Sequence, residues 1–159
     1  MNASKKPDIW FYHLTQSRLE DVLPRLLSKA LDGEKTSVIL CANEGTMDTL
    51  NEYLWTFNEH EFLPHGSAKE PNAEEQLIYL TTAEERPNEA QLLFIVEGSE
   101  PAHMEQFERV IYLFDQRDTP ALERARAYWK ALKEAGYPLS YWQQKDGGGW
   151  DKTASANVQ

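Results

Sequence analysis

The sequence contains a single cysteine, Cys41, among 159 residues. One thiol excludes an internal disulfide and a cysteine-based zinc cluster, as expected of a protein from a reducing compartment. Positive charge is also scarce, with 16 Lys and Arg against 26 Asp and Glu and a formal charge of -10. That balance opposes the phosphate attraction behind most non-specific nucleic-acid affinity, so direct nucleic-acid binding of consequence is not expected. Nowhere do about eighteen consecutive apolar residues occur, so no membrane span is expected and the chain reads as a cytoplasmic protein. The length suits one domain with one sizeable core.

What is present alternates between strand and helix patterns. DIWFYHL (Asp8 to Leu14) is short, aromatic and apolar, which suits a buried strand. After it, Leu19, Val22, Leu23, Leu26, Leu27 and Ala30 recur at helical spacing, with Ser17 as the expected N-cap, Glu20 three residues on, Gly33 as the stop and Pro24 as an expected kink. TSVILCA (Thr36 to Ala42) is β-branched and continuous, the pattern of a strand buried on both faces, and Glu44 to Trp55 turns helical again. This βαβα order predicts an α/β fold: a single domain with a mostly parallel central sheet flanked by helices, Rossmann-like and nucleotide-binding-like in layout.

Further along, His65 to Gln76 reads as a loop, LIYLT and LLFIVEG as strands, AHMEQFERV as a short helix and VIYLFD as a strand. The last helix is expected from Thr119 to Ala135, with Leu122, Ala125, Trp129 and Leu132 on one stripe and Gly136 as its stop. LSYWQQK is expected at a sheet edge. The ordered domain is placed at residues 1–145, and the glycine-rich 146–159 is expected to be a mobile tail.

Catalytic motifs fail one by one. GEKT, Gly33 to Thr36, lacks the glycines of a phosphate loop and joins a helix to a strand, the reverse of that motif's order. His13 and Cys41 fall near the carboxyl ends of two expected parallel strands, where sites in open α/β sheets form, so a small cytoplasmic enzyme using that pair is the alternative reading. In LWTFNEHEFLPHG, His60 and His65 are five apart beside Glu59 and Glu61, without the i, i+4 spacing of a helical metal pair. Those histidines are expected on an exposed rim, and no metal, cofactor or catalytic residue is assigned.

Two surfaces remain. Trp55, Phe57, Phe62 and Leu63 crowd an acidic stretch, either as core or as the centre of an interface. From Arg117 to Lys133 the chain carries Arg117, Arg124, Arg126, Lys130 and Lys133 against Asp118 and Glu123. That helix is either a solvated basic face or a docking site for an acidic peptide.

The first strand ending in FYHL, the LW followed by EFLPHG, and the late ARAYWKALKEAGY followed by LSYW resemble the chi subunit family of bacterial DNA polymerase III, over most of residues 8–142. The resemblance implies a small α/β domain without a phosphate loop or catalytic residues, acting as an accessory protein of the clamp-loader assembly. It implies one partner, the psi subunit, at Leu54, Trp55 and Phe62. It implies a second, the acidic C-terminal tail of single-stranded DNA-binding protein, at Arg126 with Tyr128, Trp129, Lys130 and Lys133. The acidic middle loop and the C-terminal extension depart from the family pattern, and they bear more on the psi contact than on the tail contact.

Overall fold

The computed structural model describes residues 6–56, 63–147 and 149–158. In chain order the elements are β1 (Asp8–Leu14), α1 (Leu19–Asp32), β2 (Ser37–Leu40), α2 (Glu44–Thr56), β3 (Gly66–Ser67), β4 (Ile78–Thr81), β5 (Leu92–Ile95), β6 (Arg109–Asp115), α3 (Thr119–Glu134), β7 (Leu139–Gln144) and β8 (Trp150–Ala156). The eight strands form one sheet in the order β3-β4-β2-β5-β6-β1-β7-β8. Every pairing is parallel except β7 with β8. This is the expected α/β class, a mostly parallel sheet flanked by helices.

The sheet carries an apolar core on each face because its central strands are buried on both sides. On one face Tyr12, Leu14, Ile39, Leu80, Phe94 and Leu113 meet Leu23 and Leu27 of α1 and Met47, Leu50 and Leu54 of α2. On the other, Phe11, Val38, Tyr112 and Phe114 meet Ala125, Tyr128 and Leu132 of α3, together with Met104 and Phe107. Alternation along β1 divides its side chains between the two layers.

Several local expectations are corrected. The N-cap of α1 is Arg18 rather than Ser17. Asp21 accepts from the Arg18 N–H, while the Ser17 hydroxyl is occupied by the Gln144 side-chain amide. Pro24 is accommodated inside α1 and is buried there. AHMEQFERV forms turns instead of a helix: the Ala102 and His103 N–H groups donate to Glu84 Oε1, and a Met104–Phe107 turn sends both apolar side chains into the core. The 65–76 segment, read as a loop, includes the two-residue strand β3. At the end of α3, Gly136 takes φ 87, as a C-terminal stop requires, and the Gly136 and Tyr137 N–H groups close on Lys133 and Leu132 carbonyls.

The largest correction lies at the C-terminus. β7 is an interior strand, because residues 150–156, placed by the sequence in a mobile tail, add β8 outside it. The Trp150 ring meets Tyr12 edge-on at 4.8 Å, and the Lys145 N–H closes the hairpin on the Gly149 carbonyl. Most of β8 is exposed, so its side chains show no apolar alternation.

Gln144, buried at the end of β7, ties the start of the chain to its end. Its Oε1 accepts backbone N–H groups from Thr15, Gln16 and Ser17 at 3.0–3.2 Å, and its Nε2 donates to Ser17 Oγ. Gln144→Ala is expected to cost about 2–3 kcal/mol by stranding those donors, lowering Tm by roughly 5–10 °C. Gln144→Glu, which keeps the acceptor oxygens, should recover most of the loss in a thermal melt. An unchanged Tm for the alanine variant would contradict this role.

Candidate functional site

In open α/β sheets a ligand crevice forms at the carboxyl ends of adjacent strands whose connections leave on opposite faces. Here those strands are β1, followed by α1 on one face, and β6, followed by α3 on the other. A cavity of about 260 Å³ opens at that point, lined in part by Leu14, Glu97, Asp115, Asp118 and Arg124. Three carboxylates at the crevice oppose a phosphate, and several of the nearby backbone N–H groups already have partners. Glu97 accepts from the Ala42 N–H at 3.0 Å and from Thr46 Oγ1 at 2.7 Å at the start of α2. Asp118 caps α3 by accepting from the Ala121 N–H, and Gln144 fills the loop before α1. Arg117 is held by Asp115, whose carboxyl it keeps below the ordinary range. The nucleotide-like layout is present, and the molecule's own side chains engage N–H groups of the loops and helix starts around it.

The His13/Cys41 pair does not exist as a unit. His13 lies on the α3 side of β1 and Cys41 follows β2 in the core under α1 and α2, with β5 and β6 between the two strands. Burial, with Glu97 adding to it, pushes the Cys41 thiol up to about 12, so the thiolate a nucleophile requires is absent at neutral pH. His13 is instead part of a chain: its Nε2 donates to Gln116 Oε1 at 2.7 Å and its Nδ1 is hydrogen-bonded with Tyr141 Oη at 2.6 Å. Among the described residues no group of three or more His, Cys, Asp or Glu could hold a metal ion. No described helix is long and apolar enough to cross a membrane.

That His13 chain orients Tyr141 in the floor of a surface groove. The groove, about 380 Å³, runs between α3 and the β7–β8 hairpin and is lined by Arg126, Trp129, Tyr141, Thr153 and Ala154. Trp129 meets the Tyr141 ring edge-on at 5.5 Å and Phe11 at 5.3 Å, which fixes one aromatic wall. Burial raises the Tyr141 phenol to about 12, against the opposing pull of Arg126. Arg126, Lys130 and Lys133 are exposed. Of the sequence candidates on this helix, Tyr128 is the one displaced: it is 6 % exposed, packed on Tyr112 and Phe11 with its hydroxyl directed at Met104 Sδ. It belongs to the core because α3 turns the 125, 128, 132 stripe inward. Tyr141, Thr153 and Ala154 were missed as groove residues; LSYW signalled the first, and β8 gave no signal.

The second surface is only partly within the described residues. Leu54 is 1 % exposed, a core residue under α2, so it cannot contact a partner directly. Trp55 is 49 % exposed, its ring packed on His65 at 4.2 Å. His65, expected on an exposed rim, is buried: Nδ1 lies 2.6 Å from the Leu63 carbonyl oxygen and Nε2 2.8 Å from that of Asn51. It thereby holds the end of α2 against the following segment and supports the Trp55 ring. Leu63 is core. Phe62, with Phe57, Glu59, His60 and Glu61, lies outside the described residues.

Fold and surfaces thus define an α/β domain with a carboxylate-lined crevice at its strand ends, a half-buried aromatic groove beside Arg126 and, apart from it, the exposed Trp55 ring. The family model described as DNA polymerase III chi subunit, HolC, matches residues 7–140, and the chain belongs to that family. It is 32 % identical over 103 residues, 65 % of this chain, to the probable DNA polymerase III subunit chi of Rickettsia prowazekii, of whose length the match spans 62 %. It is 31 % identical over 116 residues, 72 % of this chain and 79 % of the relative, to the DNA polymerase III subunit chi of Pseudomonas aeruginosa.

Native Cys41 should therefore resist iodoacetamide at pH 8, with labelling that tracks unfolding and becomes fast in denaturing urea. Rapid stoichiometric labelling of the folded protein would contradict its burial.

Proposed function

We propose that this protein is a cytoplasmic, non-catalytic accessory subunit of the DNA polymerase III holoenzyme that links the clamp loader, through psi, to the C-terminal tail of single-stranded DNA-binding protein. The observation that carries the proposal is the Arg126 groove: a cationic, aromatic-walled cleft on a chain of net charge -10. A guanidinium at the mouth suits a carboxylate, and Trp129 with Tyr141 suits the aromatic side chain of a terminal phenylalanine. Lys130 and Lys133 extend the positive field along α3 toward the remaining acidic residues of such a tail.

The spacing of the surfaces supports a linking role. Trp55 lies on α2, which packs beside β3 and β4 at one end of the sheet, whereas the groove lies beside β7 and β8 at the other. Eight strands at the usual spacing separate the sheet edges by about 30 Å. Two partners can occupy these surfaces together. The self-satisfied helix starts and the buried thiol support a role without intrinsic chemistry.

Titration with a tail peptide should show weak, salt-sensitive binding that Arg126→Ala reduces about tenfold or more, the scale of one charged hydrogen-bonded contact. Trp129→Ala should weaken it as well, while Trp55→Ala should leave it unchanged. Equal affinity of the wild type and Arg126→Ala would remove the groove assignment. In a separate pull-down with psi, Trp55→Ala should lose the partner and Arg126→Ala should keep it; the reverse pattern would exchange the two surfaces.

A further inference from the structure

A different cavity, of about 360 Å³, opens on the α1 face near the amino ends of β5 and β6. Its floor is aromatic: Trp10 and Tyr12 project from β1 and Phe94 from β5, two strands away, and Trp10 is held by a neighbouring Trp142 ring at 5.3 Å. Its mouth is cationic, with Lys29 from the last turn of α1, Lys35 from the turn before β2, and Arg109 at the start of β6. The lining carboxylate Glu108 is engaged by Lys35 at 3.1 Å, and among the described residues no ion pair within 4.0 Å engages Lys29 or Arg109.

Arg109 lies flat over Trp10, its guanidinium carbon 3.9 Å from the ring centroid. The contact fixes the guanidinium plane. Its Nε is buried and has no hydrogen-bond partner among the described residues. The volume falls within the range of small-ligand sites, roughly 300–1,000 Å³. An uncharged apolar guest would leave the cations unused, and an inorganic anion would leave the aromatic floor unused.

We propose that this cavity binds a small planar aromatic anion, its ring against the Tyr12–Phe94 floor beside the Arg109-covered Trp10, and its anionic group on Arg109 and Lys29. A mononucleotide and an aromatic carboxylate share that chemistry. The site lies on the α1 face of the sheet, the Arg126 groove on the α3 side, so the proposal stands apart from the proposed function.

Two-dimensional NMR of the full chain, with the Trp10 indole N–H assigned through Trp10→Phe, tests it with AMP, indole-3-acetate and uncharged adenosine. At least one of the two anions should shift the Trp10 resonance in a saturable way and leave Trp129 unmoved. AMP alone would point to a nucleotide, and indole-3-acetate alone to an aromatic carboxylate. Against the preferred anion, Arg109→Gln should weaken binding about tenfold or more, and the exposed Lys29→Gln about threefold. Should Arg109→Gln fail to fold, Lys29→Gln and the AMP–adenosine comparison still decide the charge requirement. No Trp10 response to either anion at millimolar concentration overturns the proposal. So does binding that ignores both the ligand charge and the available cation variants.

Discussion

The structure depends on β1 being paired in parallel on both sides. Asp8–Leu14 registers with Arg109–Asp115 along its whole length and with Leu139–Gln143 along most of it. A seven-residue strand in that position has no free backbone edge, and its side chains must feed both layers. Phe11 joins Tyr112, Tyr128, Trp129 and Tyr141 on one side, while Trp10 and Tyr12 join Trp142 and Trp150 on the other. Both the Arg126 groove and the Trp10 cavity are built outward from this strand.

The same pairing governs the chemistry at the strand ends. Because β1 and β6 send their helices to opposite faces, a crevice must open between them, and in many α/β proteins such a crevice holds a phosphate. Here Glu97 and Asp118 supply negative charge where a phosphate would bring it, and the Gln144 amide takes the donors before α1. These hydrogen bonds hold the loops around the crevice to the sheet.

Charge is distributed to the same effect. The chain is strongly acidic overall, yet its exposed arginine and lysines on α3 stand beside an aromatic groove. Against that background these cations set a local potential opposite in sign to that of the chain as a whole. At the opposite end of the sheet Trp55 rests on buried His65, which bridges toward two carbonyl oxygens and limits the ring's freedom. An aromatic so supported loses less entropy when a partner covers it.

The alternating strand and helix pattern, the buried character of β1, β2 and β5 and the extent of α3 are legible in the sequence, because they follow from periodicity, composition and local stops such as Gly136; the family is legible only through the resemblance of FYHL, EFLPHG and ARAYWKALKEAGY to known members. The sequence also marked Trp55, Arg126 and Trp129. Only the tertiary structure decided which marked residues face solvent. Tyr128 and Leu54 turn inward because the helix phase is set by the sheet beneath, and His65 is buried because two backbone carbonyls from different segments converge on it. His13 and Cys41 look alike in sequence, each at a strand end, yet strand order sets two strands between theirs. β8 was illegible for a related reason: an edge strand exposed on most of its length needs no apolar alternation, and its pairing with β7 comes from backbone hydrogen bonds that any side chains can accompany.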